Sequence, residues 1–155
     1  MTNLAAARAV IDHVYALGTT AFIVCGGSRN APLIAAVAAS GKRQAASVFA
    51  FVDERAAAFF ALGRIKRDGQ PVAVITTSGT AVAELLPATI EAFYSGLPLI
   101  LITADRPARF RGSGAPQTID QAGIFGSYAA TDTASWSRGM PLHINIEFDE
   151  PLIDE

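Results

Sequence analysis

"PVAVITTSGTAVAELLPATIEAFYSGLPLILIT", residues 71–103, reads as strand, helix and strand in succession. Its opening run, Pro71–Thr77, is β-branched and apolar without polar alternation, as expected of a strand covered on both faces. Leu97–Thr103 has the same character. Between them, residues 78–96 carry a helical pattern with an expected break or kink at Pro87, which has no backbone N–H to donate. Two buried strands joined by a helix run parallel, and a parallel sheet needs helices on both faces.

The same alternation extends upstream. "LAAARAVIDHVYALG" (4–18) has apolar residues at helical spacing and a natural stop at Gly18. "AFIVC" (21–25) is a short buried strand, "GGSRN" (26–30) a turn, and "APLIAAVAAS" (31–40) a helix that Asn30 or Ser28 is placed to cap. "ASVFAFV" (46–52) is strand-like, and "ERAAAFFALGRIKR" (54–67) is a helix with Asp53 as its N-cap. Downstream, "ADRPARFRGSGAPQTIDQ" (104–121) is a polar loop rich in Gly and Pro. The expected fold is a single three-layer α/β domain over 1–155, with a mostly parallel sheet and helices on both faces.

The end of the chain breaks the rhythm. Strands are expected at Ala129–Thr133 and in "PLHINIEF" (141–148), with only Ala134–Met140 between them. A parallel crossover takes about a dozen residues or more. The spacing therefore predicts an antiparallel pair or the loss of a crossover helix near 134–140. The expected consequence is a break in the chain, a strand from a neighbouring molecule or a changed strand order.

Composition narrows the function. Of 155 residues, 51% are apolar and 17% charged, against roughly a quarter charged in ordinary soluble domains. A buried parallel sheet, or outer faces covered by partners, accounts for that. A net charge of −2 argues against a nucleic-acid binder. No apolar run is long enough for a transmembrane segment. The single Cys25 permits no internal disulfide and fits a cytoplasmic protein. One Cys and two isolated His offer no metal-ligand spacing.

Polar clusters follow each of the first four strands: "GGSRN", "DER", "TSGT" and "ADRP". In open α/β sheets, ligands bind outside the carboxyl ends of the strands, so the four together outweigh any one. Each has a plain structural alternative. Glu54 suits the positive end of a helix, Ser78 and Thr80 suit helix caps, and Arg29 and Arg106 suit solvated loops. "TSGT" is like a phosphate-cradling turn without the P-loop lysine, and no G-x-G-x-x-G is present. Cys25 reads as a buried strand-end residue and His143 as structural.

Taken in order and spacing, "GGSRNAPL", "FVDERAAAFFALG", "PVAVITTSGTAVAELLPATIEA" and "LILITADRP" resemble the N-terminal pyrimidine-binding domain of thiamine diphosphate enzymes. "GSRNAPL" and "TADRP" narrow the resemblance to the 2-succinyl-5-enolpyruvyl-6-hydroxy-3-cyclohexene-1-carboxylate synthases of menaquinone biosynthesis. It runs from about residue 4 to 133 and resumes at "PLHINIEFDEPL". It implies that Glu54 hydrogen-bonds N1′ of the cofactor's aminopyrimidine and pushes the ring toward its imino form, which takes the thiazolium C2 proton. Thr77, Ser78 and Gly79 would form the cofactor-facing turn, and Arg55 a structural ion pair. The implied reaction decarboxylates 2-oxoglutarate and adds the resulting carbanion to isochorismate. Ser28, Arg29 and Arg106 would meet substrate carboxylates, with Gln117 near the reaction intermediate.

The sequence departs from the family at Gly26, where proline is usual. It also has no G-D-G, the motif that in this family holds the diphosphate and Mg²⁺ on a separate domain. The expected partner is therefore that diphosphate-binding domain, in a homo-oligomer, and the chain alone is expected to be inactive. Two other assignments share the fold: a split-chain subunit of another thiamine-dependent 2-oxo acid decarboxylase, and a non-catalytic binding module.

Overall fold

The computed structural model describes residues 1–40 and 46–153. Five strands form one sheet: β1 (Ala21–Cys25), β2 (Ser47–Phe51), β3 (Val72–Thr76), β4 (Leu99–Asp105) and β5 (Leu142–Glu147). Their order is β2-β1-β3-β4-β5, and every pairing is parallel. The helices are α1 (Asn3–Ala16), α2 (Ala31–Ser40), α3 (Glu54–Asp68), α4 (Thr80–Ala83) and α5 (Leu86–Tyr94).

Alternate strand residues feed two cores. Ile23, Val74 and Leu101 pack with Ala57, Ala61, Leu62, Leu85 and Ala88 on the α3–α5 face. Phe22, Val24, Ala73, Ile75 and Ile100 pack with Ala7, Ile11, Val14 and Leu33 on the α1–α2 face. This explains the unbroken apolar runs: β1, β3 and β4 are buried at every position. The Pro87 expectation resolves as two helices. The break falls before the proline, which then sits in the first turn of α5, where a missing N–H costs little.

The crossover argument fails. β5 lies parallel beside β4 in the same sheet of one continuous chain, with Ile100 opposite Leu142 and Asp105 opposite Glu147. The reason is that Ala129–Thr133 is not a strand. It makes one parallel bridge, Ala130 to Leu142, through Ala130 N–H to Pro141 O (2.9 Å) and His143 N–H to Ala130 O (2.8 Å). The connection into β5 is therefore the whole of 106–141. Between Ala129 and β5 the chain carries no helix. Half-buried Trp136 instead packs against the α1–α2 core and donates from Nε1 to Met140 O at 2.8 Å.

Candidate active site

Because all strands run parallel, their carboxyl ends share one edge. The chains leaving β1 and β3 turn to opposite faces there, so the sheet's switch point lies between them. At that point the loops touch. A Cβ on Gly27 would stand 2.6 Å from Thr77 Cβ, so only glycine admits this approach. Asn30 closes the first loop backwards rather than capping α2: its Oδ1 accepts from Gly27 N–H (2.9 Å) and its Nδ2 donates to Cys25 O (2.8 Å).

Glu54 opens α3. Asp53 caps the helix, its Oδ1 accepting from Ala56 N–H at 2.6 Å. The Glu54 side chain is half-buried, and no group among the described residues hydrogen-bonds or pairs with it. It lies close enough to the end of β1 to act on Cys25, whose thiol is pushed up to about 12, first by burial and then by the Glu54 and Asp53 charges. Cys25 is thus an inert strand-end residue, as its sequence context indicated. Arg55 is exposed, and the ion pair expected of it does not form among the described residues.

Thr77, Ser78 and Gly79 are buried in the turn after β3. The helix-cap reading of Ser78 and Thr80 fails, because α4 begins at Thr80 with Gly79 in the cap position and no side-chain cap bond. Gly79 has φ +79°, and a Cβ there would meet the Gln117 backbone at 3.1 Å. Gln117, itself at φ 52°, is thereby seated against the turn despite being distant in sequence. The Gly79 N–H donates to Gln121 Oε1 at 3.0 Å, so the turn spends that donor internally and does not cradle a phosphate with it.

Gln121 was not anticipated. It is fully buried, and its Nε2 donates to Ala104 O (3.0 Å) and Asn145 Oδ1 (2.8 Å). It thus locks the turn after β3 to the ends of β4 and β5. A glutamine in a polar loop gives no local signal of this; its partners are 17, 24 and 42 residues away in sequence.

The arginines are held differently from solvated loop charges. Arg29 is 6% exposed, with Nη1 donating to Phe148 O at 2.9 Å. Its Nη2 reaches Glu150 Oε1 at 3.1 Å, and Arg106 Nη1 lies 3.9 Å from the same oxygen. Arg106 Nε donates to Pro116 O at 3.0 Å. Ser28 is exposed beside Arg29. The structure therefore joins Arg29 to Arg106 and Gly79 to Gln117, while no hydrogen bond among the described residues joins Glu54 to either pair. His143, 3% exposed, is structural, as expected. Its Nε2 is 2.7 Å from Thr103 Oγ1. No cluster able to hold a metal occurs among the described residues.

A parallel sheet with polar loops gathered at one edge and an unpaired carboxylate at a helix start is an α/β ligand-binding domain. Residues 4–124 match the N-terminal TPP binding domain of thiamine pyrophosphate enzymes, and the chain belongs to that family. Curated relatives include three 2-succinyl-5-enolpyruvyl-6-hydroxy-3-cyclohexene-1-carboxylate synthases. The one from Bdellovibrio bacteriovorus is 50% identical over 167 residues, covering 99% of this chain and 31% of the relative. The one from Halobacterium salinarum strain R1 is 53% identical, covering 94% of this chain and 29% of the relative. The one from Synechococcus sp. RCC307 is 44% identical, covering 97% and 30%. The chain thus spans 29–31% of the length of these relatives. A match over 167 residues to a chain of 155 also means that the Bdellovibrio relative carries residues inside the matched region that this chain lacks.

Proposed function

We propose that this chain is the pyrimidine-binding part of a synthase that decarboxylates 2-oxoglutarate and transfers the four-carbon product to isochorismate in menaquinone biosynthesis. The observation that carries the reading is the half-buried Glu54 carboxylate, fixed at the start of α3 and left without an internal partner. Such a carboxylate fits a protonated ring nitrogen of the aminopyrimidine.

When bound, thiamine diphosphate supplies the acidic thiazolium carbon on which a 2-oxo acid loses CO₂. In this reading Glu54 holds the proton at N1′, and Thr77, Ser78 and Gly79 wall the ring. Gln117 is presented to the reacting groups by its seat against Gly79. Ser28, Arg29 and Arg106 receive carboxylates, the arginines through planar forks. The residues here do not fit the diphosphate and Mg²⁺, because Gly79 N–H is engaged and no cation-binding cluster occurs among the described residues. Those groups fall to a second domain, in a cytoplasmic homo-oligomer. The residues that the Bdellovibrio relative carries in addition are assigned to the region near 134–140, where a crossover helix would precede β5.

The test is turnover of 2-oxoglutarate with isochorismate by the complete polypeptide carrying this chain. Glu54→Gln is expected to lower it by about a hundredfold or more with unchanged melting. Near-normal turnover would remove the assignment.

A further inference from the structure

A cavity of about 310 Å³ lies at the carboxyl edge, lined by Arg29, Arg106, Arg109, Phe110, Asp149 and Glu150. The Phe110 ring stacks under two of the cations, with the Arg109 guanidinium 4.7 Å and that of Arg106 5.8 Å from its centroid. Arg109 is satisfied elsewhere, by both oxygens of Asp149 at 2.6 and 2.7 Å. Arg29 and Arg106 instead share one oxygen of Glu150, at 3.1 and 3.9 Å.

The two ends of that contact are unequal. Arg29 is 6% exposed and anchored through Phe148 O, while the Glu150 side chain is 69% exposed. The backbone beneath Glu150 is fixed. Phe148 is fully buried and its N–H donates to Asp105 O (3.0 Å), and Asn3 Nδ2 donates to Asp149 O (2.7 Å) and Pro151 O (2.9 Å). The guanidinium cannot leave, whereas the carboxylate leaves by side-chain rotation alone. Because the Glu150 end of the pair is open to solvent, a competing anion can take its place on the guanidinium.

We propose that Glu150 is a resident carboxylate occupying the Arg29–Arg106 fork, and that a small dicarboxylate ligand enters by displacing it. Glu150 then sets an affinity threshold for the fork. It discounts every anion by the cost of its own displacement, so a single weak carboxylate is turned away, while a ligand held by a second contact as well is admitted. This rests on the reading of Arg29 and Arg106 as carboxylate receptors.

The test follows the Arg29 and Arg106 Nε–H signals of the full chain by NMR during titration with succinate, for wild type, Glu150→Gln and Asp149→Asn. Each variant removes one negative charge from the same cavity. Glu150→Gln is expected to bind succinate about tenfold more tightly than wild type, and Asp149→Asn less than threefold, because only Glu150 holds the fork. Equal tightening in both variants, or none in Glu150→Gln, overturns the resident-carboxylate proposal and leaves the receptor reading standing. No succinate-dependent shift of either arginine in any of the three proteins overturns the receptor reading, and the proposal with it.

Discussion

His143 shows how one buried residue is decided by its neighbours. Thr103 has a single hydroxyl proton and donates it to Asn145 Oδ1 at 2.7 Å. His143 Nε2 must therefore carry its own proton and donate to Thr103, which fixes the tautomer. Burial pushes the imidazole from 6.5 down to about 4, against a weaker opposing pull from the Asp105 carboxylate. A pKa depressed by folding gives stability that is present above 6.5 and lost as pH falls through 4. Urea unfolding should show a loss of about 2–3 kcal/mol between pH 7 and pH 4 from this group. His143→Gln should remove that part of the slope, and an unchanged slope would show that the charge is borne elsewhere. The identity of this residue as structural was legible from its place in an apolar run. The burial of Arg29 was not, because its acceptor lies 119 residues away and leaves no trace in the local pattern.

Elements were legible where one period persists. β1 and α2 fall on the residues expected, and α3 begins at Glu54 behind its Asp53 cap, because cap, turn and apolar period agree there. The segment before β5 was misread because a short alternation at Ala129–Thr133 resembles a strand, and only a partner edge decides whether it becomes one. One bridge to Leu142 is all that edge supplies. The caps and ties rank by burial. Asp53→Ala removes one exposed cap bond and should cost about 1 kcal/mol, or about 2–4 °C in melting temperature. Gln121→Leu leaves Gly79 N–H and Ala104 O unpaired inside the protein and should cost about 2–4 kcal/mol. Calorimetric scans of both variants check the order, and a milder loss at Gln121 than at Asp53 would contradict the buried tie.

At the scale of the molecule, low charge anticipated apolar faces in need of cover. Much of the pattern in "AAAFFALG" is core: Ala57, Ala58, Ala61 and Leu62 are buried. What remains outside is Phe59 at 45% and Tyr94 at 75% exposure on the neighbouring helices α3 and α5, which Lys66 and Glu91 tie together at 3.5 Å. Tyr94 continues into a cluster of rings with Phe93 and Tyr128. Aromatic surface of this kind finds partners. The chain is expected to dimerise in light scattering at high concentration, and Phe59→Asp with Tyr94→Asp to return it to monomer. A wild-type monomer would leave this face without a self-partner.

The loop that carries the chain into β5 has a practical consequence. Trp136 is the sole tryptophan, and its indole is pinned to Met140 O at the rim of the α1–α2 core rather than within the sheet. The intrinsic fluorescence of the protein therefore reports the docking of this one strap. Circular dichroism reports the helices and sheet, so the two signals form a built-in pair of probes. Where they part company during denaturation, the strap has come away while the scaffold beneath it is still intact.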